Sequence, residues 1–186
     1  REVLDKQAMS GSCSRERRAE TLGAWKSAHK LIITDSQVCA EVEKLVHEGR
    51  LLTSFSVLFA RYKGDIKAFV EGAVAIDRLT PSSRILIAEA CTHAPQTEDI
   101  GREKIPRMLR AKVGQELAVD IVAGNDFPQD LSPYDLIIHC GACMFNRRHV
   151  LSRVGQARAA GVPITNYGVA IAYLKGILDK VAYPAD

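Results

Sequence analysis

Tyr134-Asp-Leu-Ile-Ile-His-Cys-Gly-Ala-Cys143 joins an apolar run to a cluster of thiol and imidazole side chains. Leu136-Ile137-Ile138 is apolar without alternation, which is how a strand buried on both faces of a parallel sheet reads. It delivers His139 and Cys140 at its carboxyl end. Arg84-Ile-Leu-Ile-Ala88 has the same character and hands over to Glu89-Ala-Cys-Thr-His93. Two buried strands thus carry two halves of one constellation, Cys91 and His93 on the first, His139, Cys140 and Cys143 on the second.

The segments around these runs alternate between strand and helix. Thr80-Pro-Ser-Ser83 is a turn before the first run. After it, a polar loop from Ala94 to Lys104 precedes a helix reaching Lys112, with Pro106 in its first turn, where a missing N–H costs nothing. Leu117 to Val122 reads as a strand and Asp126 to Pro133 as a loop. Asn146 caps a helix from Arg147 to Ala160 whose Val150, Leu151, Val154 and Ala157 make an apolar face, with Arg148, Arg153 and Arg158 lying mostly elsewhere. Gly161 stops it. Pro163-Ile-Thr165 starts a last strand, Asn166-Tyr-Gly168 turns, and Val169 to Leu178 is a helix. The fold class is therefore α/β, a mainly parallel sheet flanked by helices. In such sheets ligands bind outside the carboxyl ends of the strands, so Cys91, Cys140 and the Asn166-Tyr-Gly168 turn are expected on one rim.

The first part of the chain is a smaller, partial α/β unit. Residues 1–29 are polar and uneven, with Ser10-Gly-Ser-Cys-Ser14 a flexible joint and Arg15 to Trp25 a helix. Lys30-Leu-Ile-Ile-Thr34 reads as a strand buried on both faces. Asp35 or Ser36 would cap a helix carrying Val38, Val42 and Leu45, ended by Gly49. An edge strand in this unit leaves unpaired backbone groups that a second copy of the chain could satisfy. Thr53 or Ser54 then caps a helix with Val57, Leu58 and Ala60, Gly64 interrupts, and a second helical run covers Ile66 to Ile76. The domain boundary falls at 1–52 and 53–186.

With 186 residues, 47% apolar and 25% charged, the chain has the composition of an ordinary globular protein with a buried core. The net charge of +3 is too small to imply nucleic acid, and no nucleic-acid-binding signature accompanies it. No apolar run is long enough to span a membrane, and no secretory leader is expected. The opening at Arg1 suggests a piece of a longer protein. An odd count of 5 cysteines, three of them in metal-like spacing, suggests a reducing compartment, hence the cytoplasm.

On residue types alone, the constellation fits several chemistries. A thioredoxin-like dithiol needs only Cys140 and Cys143. Structural zinc would take Cys91, Cys140 and Cys143 with His93 or His139. An iron-sulfur cluster would take the three cysteines and leave one iron open or weakly held. A zinc deaminase fits less well, because Ala94 and Pro95 follow His93 and no Glu stands two positions on. The bland alternative is that Cys91 and Cys140 are merely buried at strand ends. Cys13, Cys39, His29, His47 and His149 read as structural residues.

Glu89-Ala-Cys-Thr-His93, Asp99-Ile-Gly-Arg-Glu-Lys-Ile-Pro-Arg107, His139-Cys-Gly-Ala-Cys-Met-Phe-Asn-Arg147 and Ile164-Thr-Asn-Tyr-Gly-Val-Ala-Ile-Ala-Tyr173 closely resemble the carboxyl-terminal half of HydF, the GTPase that matures (FeFe)-hydrogenase. Ile33-Thr-Asp-Ser-Gln37 and the stretch from Leu52 to Asp65 look like the same family. The resemblance implies a dimerisation unit at the N-terminus followed by a domain that binds a 4Fe-4S cluster through Cys91, Cys140 and Cys143, with His93 and His139 at the motif histidine positions. It implies a scaffold that carries a transient diiron precursor made with radical-SAM maturases and passes it to apo-(FeFe)-hydrogenase, as a homodimer. His93, His139, Glu89, Glu98 and Asp99 are candidates for the open position.

Two features depart from the family pattern. No Gly-x-x-x-x-Gly-Lys-Ser/Thr loop occurs, so no GTP site is expected in this chain. Ala142 stands where the family more often has glycine, which is tolerated if that residue has negative φ. Arg102, Lys104, Arg107, Arg110 and Lys112 form a basic run after the Cys91 loop, either a solvated helix face or a source of steering for an anionic cargo.

Overall fold

The two unbroken apolar runs become the central strands of a parallel sheet in a computed structural model of the chain, which describes residues 11–14, 16–24, 31–46, 49–90 and 99–182. The strands are β1 (Leu31–Thr34), β2 (Leu51–Ser54), β3 (Arg84–Glu89), β4 (Ala118–Ala123), β5 (Leu136–His139) and β6 (Ile164–Asn166). The helices are α1 (Arg18–Ala24), α2 (Cys39–Glu43), α3 (Phe55–Lys63), α4 (Ile66–Val74), α5 (Ile105–Val113), α6 (Arg147–Ala159) and α7 (Tyr167–Leu174). A four-stranded sheet runs β4-β3-β5-β6 and a two-stranded sheet pairs β1 with β2. Every pairing in both sheets is parallel.

The central strands are covered on both sides. Leu86, Ala88 and Ile137 meet Val150, Val154 and Ala157 of α6 and Phe69 of α4 on one face. Ile85, Ile87, Leu136 and Ile138 meet Ile105 and Leu109 of α5 and Ala170 and Ile171 of α7 on the other. Ile85, Leu86, Ile87, Leu136, Ile137 and Ile138 are all 0% exposed, and each such burial contributes roughly 1.5–3 kcal/mol.

Caps set where the helices begin. Ser54 Oγ accepts from Val57 N at 3.3 Å, Asp65 Oδ1 from Ala68 N at 3.1 Å and Asn146 Oδ1 from His149 N at 3.0 Å. Asn166 ends β6 and caps α7 through Val169 N at 2.9 Å. The expected turn at 166–168 is therefore a direct passage from strand to helix, and that helix ends at Leu174 rather than Leu178. Helix α4 lies so close to β6 that a Cβ on Gly72 would stand 2.0 Å from the Ile164 carbonyl oxygen.

Several expectations fail near the N-terminus. β1 is not buried on both faces, since Leu31 is 45% and Ile33 42% exposed. Its only strand neighbour among the described residues is β2, whose four residues carry too little pattern to read as a strand beforehand. The other side of β2 is occupied, with Leu52 O accepting from Ala182 N at 2.7 Å. Helix α2 starts at Cys39 behind Val38, which offers no side-chain cap. Asp35 instead accepts from Gln37 N in a turn. Helix α1 covers less than the expected Arg15 to Trp25, and those two end residues lie outside the described set. The loop expected up to Lys104 closes as a π-helical turn over Ile100–Lys104.

Register places the strand ends together, with Ala88 beside His139 and His139 beside Asn166. From β3 the chain crosses through α5 to β4 on one side, and from β5 it crosses through α6 to β6 on the other. The order reverses between β3 and β5, which opens a crevice at their carboxyl ends. No described helix is long and apolar enough to cross a membrane.

Candidate metal centre

Cys140 leaves β5 at that crevice. Its N–H donates to Ala88 O at 2.9 Å, extending the ladder by one rung. Its sulfur accepts from Ala90 N at 3.0 Å and from Ala142 N at 3.4 Å. One donor thus comes from the end of β3 and the other from the Cys140-Gly-Ala-Cys143 loop. Cys143 is exposed, and neither cysteine is in a disulfide. Cys91, His93 and Glu98 lie outside the described residues, directly after the buried Ala90.

The loop is held in a left-handed turn. Ala142 has φ +48° and is 1% exposed, so the expected negative φ does not occur. The conformation is enforced from outside: Lys63 Nζ, at the last residue of α3, donates to Ala142 O at 3.0 Å, Cys143 O at 2.7 Å and Phe145 O at 3.0 Å. In return Arg147 Nη1 donates to Arg61 O at 3.3 Å and Tyr62 O at 2.7 Å, carbonyls at the end of α3 that have no intrahelical partner. With three carbonyls turned toward Lys63, the loop presents an N–H to the Cys140 sulfur.

Lys63→Met leaves those three carbonyls without their ammonium donor. Hydrogen bonds to charged groups are worth about 1.5–3 kcal/mol, and partial exposure brings the expected loss to about 2 kcal/mol for the set. Urea denaturation measures it. Ala142→Gly has a near-zero expected effect, because relief of roughly 1–2 kcal/mol of left-handed strain is offset by about 0.8 kcal/mol of lost methyl burial and by about 0.5–1 kcal/mol of chain entropy. A melting temperature within about 2 °C of the parent checks this.

Behind the loop, His139 is 0% exposed. Arg153 Nη1 lies 3.0 Å from His139 Nε2, and His139 Nδ1 lies 2.7 Å from Cys140 O. Arginine has only donors, so Nε2 accepts and Nδ1–H donates to the carbonyl. The imidazole is neutral, and burial, the dominant cause, pushes its pKa down to about 4. Both ring nitrogens are engaged. Arg153, only 3% exposed, also donates through Nη2 to Gly124 O and lies 4.8 Å over the Phe127 ring. His149 stacks on Phe145 with centroids 4.3 Å apart, which fits its reading as a packing residue.

Two rim carboxylates are already occupied. Glu89 Oε2 pairs with Arg102 Nη2 at 3.0 Å. Asp99 Oδ1 caps the π-helical turn through Gly101 N at 2.9 Å and Arg102 N at 2.8 Å. The basic run is likewise distributed: Lys104 donates to Gln37 Oε1, Arg110 to Leu117 O, and Lys112 pairs with Asp77. Arg102 and Lys112 are thus ion-paired, whereas Lys104 and Arg110 bind neutral oxygens.

Among the described residues no three His, Cys, Asp or Glu side chains converge. The donor chemistry nevertheless suits a thiolate-held group: two cysteines outside any disulfide stand on one small loop, one sulfur accepts two backbone N–H groups, and a Cβ on Gly141 would meet nothing within 4 Å. Sulfurs of iron-sulfur sites are commonly hydrogen-bonded in this way. The sequence reading did not pick out Lys63, Arg147 or Arg153. Arg153 was expected mostly off the apolar face of its helix, but it is buried beside Val150, Val154 and Ala157, with which it shares i+3 and i+4 spacing.

Residues 67–184 match the hydrogen maturase F tetramerization domain, and residues 1–64 match the hydrogen maturase F dimerization domain. No curated protein matches the chain.

Proposed function

The chain belongs to the hydrogen maturase F family and so has a role in hydrogenase maturation, and we propose that in this role it is a carrier holding a 4Fe-4S cluster through Cys91, Cys140 and Cys143. The observation that carries this reading is the Cys140 sulfur, which receives N–H groups from both the β3 end and its own loop. Two backbone N–H donors on one sulfur are the surroundings that a cluster-bound cysteine calls for. Bound there, the cluster supplies an open coordination position for a diiron precursor.

The chain's own groups do the holding. Lys63 and Arg147 fix the loop, and Gly141 leaves space above it. His139 stands behind the Cys140 carbonyl and supports the peptide rather than offering a lone pair. His93 is left as the motif histidine for the open position. Radical-SAM maturases are the proposed source of the precursor and apo-(FeFe)-hydrogenase its destination. The two matched domains, named for dimerization and tetramerization, support self-association, and the open edge of β1 with Leu31 and Ile33 is the proposed seam of a homodimer. With no phosphate loop in the chain, the proposed role is carriage rather than nucleotide hydrolysis.

Anaerobic reconstitution with iron and sulfide, followed by electron paramagnetic resonance of the reduced protein, tests this. A four-iron signal lost in each of Cys91→Ala, Cys140→Ala and Cys143→Ala is expected. Stoichiometric zinc with no such signal overturns the reading in favour of a zinc or dithiol domain.

A further inference from the structure

Arg153 is a cation in a place where cations are costly. It sits on α6 between Val150 and Val154, on the stripe that these form with Ala157, and it is 3% exposed. Among the described residues no carboxylate pairs with it. Its contacts are His139 Nε2, the Gly124 carbonyl and the face of Phe127. None of these carries charge, since His139 must be neutral to accept from the guanidinium. A buried charge without a counter-ion destabilises a fold by several kcal/mol, so its retention calls for an anion nearby.

The hydrogen-bond chain from Arg153 leads to Cys140. Arg153 reaches it through one neutral ring: guanidinium to Nε2, then Nδ1–H to Cys140 O, within the residue whose sulfur accepts from Ala90 N and Ala142 N. Burial holds the Arg153 guanidinium below its ordinary value, and the charge of the Cys140 thiolate acts in the opposite direction.

We propose that Arg153 is a positioning and charge-compensating residue for the anionic group bound at Cys140, acting through His139 to fix the Cys140 peptide and to favour the more negative redox state. This rests on the cluster reading above. The sign follows from Coulomb's law: reduction adds one electron to a group already bearing thiolate charge, and a fixed cation in a low-dielectric interior stabilises the reduced form more than the oxidised form. The reduction potential is therefore higher with Arg153 than without it. Arg153 is buried, so its effect is screened by salt less than that of a surface charge.

The test is a redox titration of the reconstituted chain, followed by electron paramagnetic resonance, in the parent and in Arg153→Gln and Arg153→Lys. Arg153→Gln keeps a donor for His139 and removes the charge. It is expected to shift the reduction equilibrium about tenfold toward the oxidised form, a fall of about 59 mV for one electron. Arg153→Lys keeps the charge and is expected to stay near the parent potential. Iron and sulfide content is measured in every sample. An unchanged potential in a fully loaded Arg153→Gln overturns the proposal. If that variant does not fold, Arg153→Met takes its place, and loss of the fold in both assigns the arginine to packing alone and also overturns it. A parent chain that binds no cluster refutes the underlying reading instead, so the two failures are distinguishable.

Discussion

Gly72→Ala is expected to lower the melting temperature by about 6–12 °C, the shift that about 3 kcal/mol produces in a chain of this size. The added Cβ would stand 2.0 Å from Ile164 O and 2.5 Å from Ile164 C. Both atoms belong to the backbone of β6, so no side chain can swing aside. Helix α4 must move off the strand, and overpacking of this kind costs about 1–3 kcal/mol or more. β6 also pairs with β5, so the displacement reaches the strand that carries His139. Gly155→Ala is the control. A Cβ there meets nothing within 4 Å, and alanine in a helix interior is favoured over glycine by roughly 0.5–1 kcal/mol. A melting temperature for Gly72→Ala equal to that of Gly155→Ala would show that α4 does not seat on β6 through this glycine.

Acid removes about 3 kcal/mol of stability from the metal-free chain through His139 alone. Its pKa is about 4 in the folded protein against about 6.5 in an unfolded chain, and each unit is worth 1.36 kcal/mol. The folded value is the lower one, so the unfolded chain binds the extra proton between these limits and stability falls as pH falls. The contribution is fully present above about pH 6.5, declines through pH 5, and levels off below about pH 4. Urea denaturation of the metal-free protein at pH 7 and pH 4.5 measures the drop. His139→Gln retains a donor for Cys140 O and an acceptor for Arg153 but cannot titrate. Its stability is expected to fall less across the same window, by a margin of about 2–3 kcal/mol. Equal losses in parent and variant would transfer the acid sensitivity to other groups.

The two central strands were legible because burial on both faces leaves no alternation, and Leu136 to Ile138 and Ile85 to Ala88 show none. Ser54, Asn146 and Gly161 were legible because a cap or a stop acts within a few residues of itself. β2 was not, since Leu51 to Ser54 is too short to show a period and each of its residues pairs with one twenty positions away. The site divided along the same line. Cysteine spacing pointed to the loop between Cys140 and Cys143, but not to what shapes it. Lys63 and Arg147 lie on opposite sides of the contact and far apart in the chain, and an exposed-looking lysine at a helix end reads alike whether it faces water or three carbonyls. Ala142 misled for a related reason. A positive φ in a non-glycine residue is imposed by its surroundings, here by Lys63, and local sequence does not encode it.

Ser54 has two duties, as the last residue of β2 and as the cap of α3. No loop residue intervenes, so strand and helix form a single strut. One end of that strut is paired to β1 in the smaller unit, and the other, about 14 Å along the helix at 1.5 Å per residue, ends in the ammonium that grips the cysteine loop. The path from β2 to the ammonium of Lys63 therefore runs through nine helical residues with no loop in between, and a change in the length of that helix would change where the grip on the cysteine loop falls.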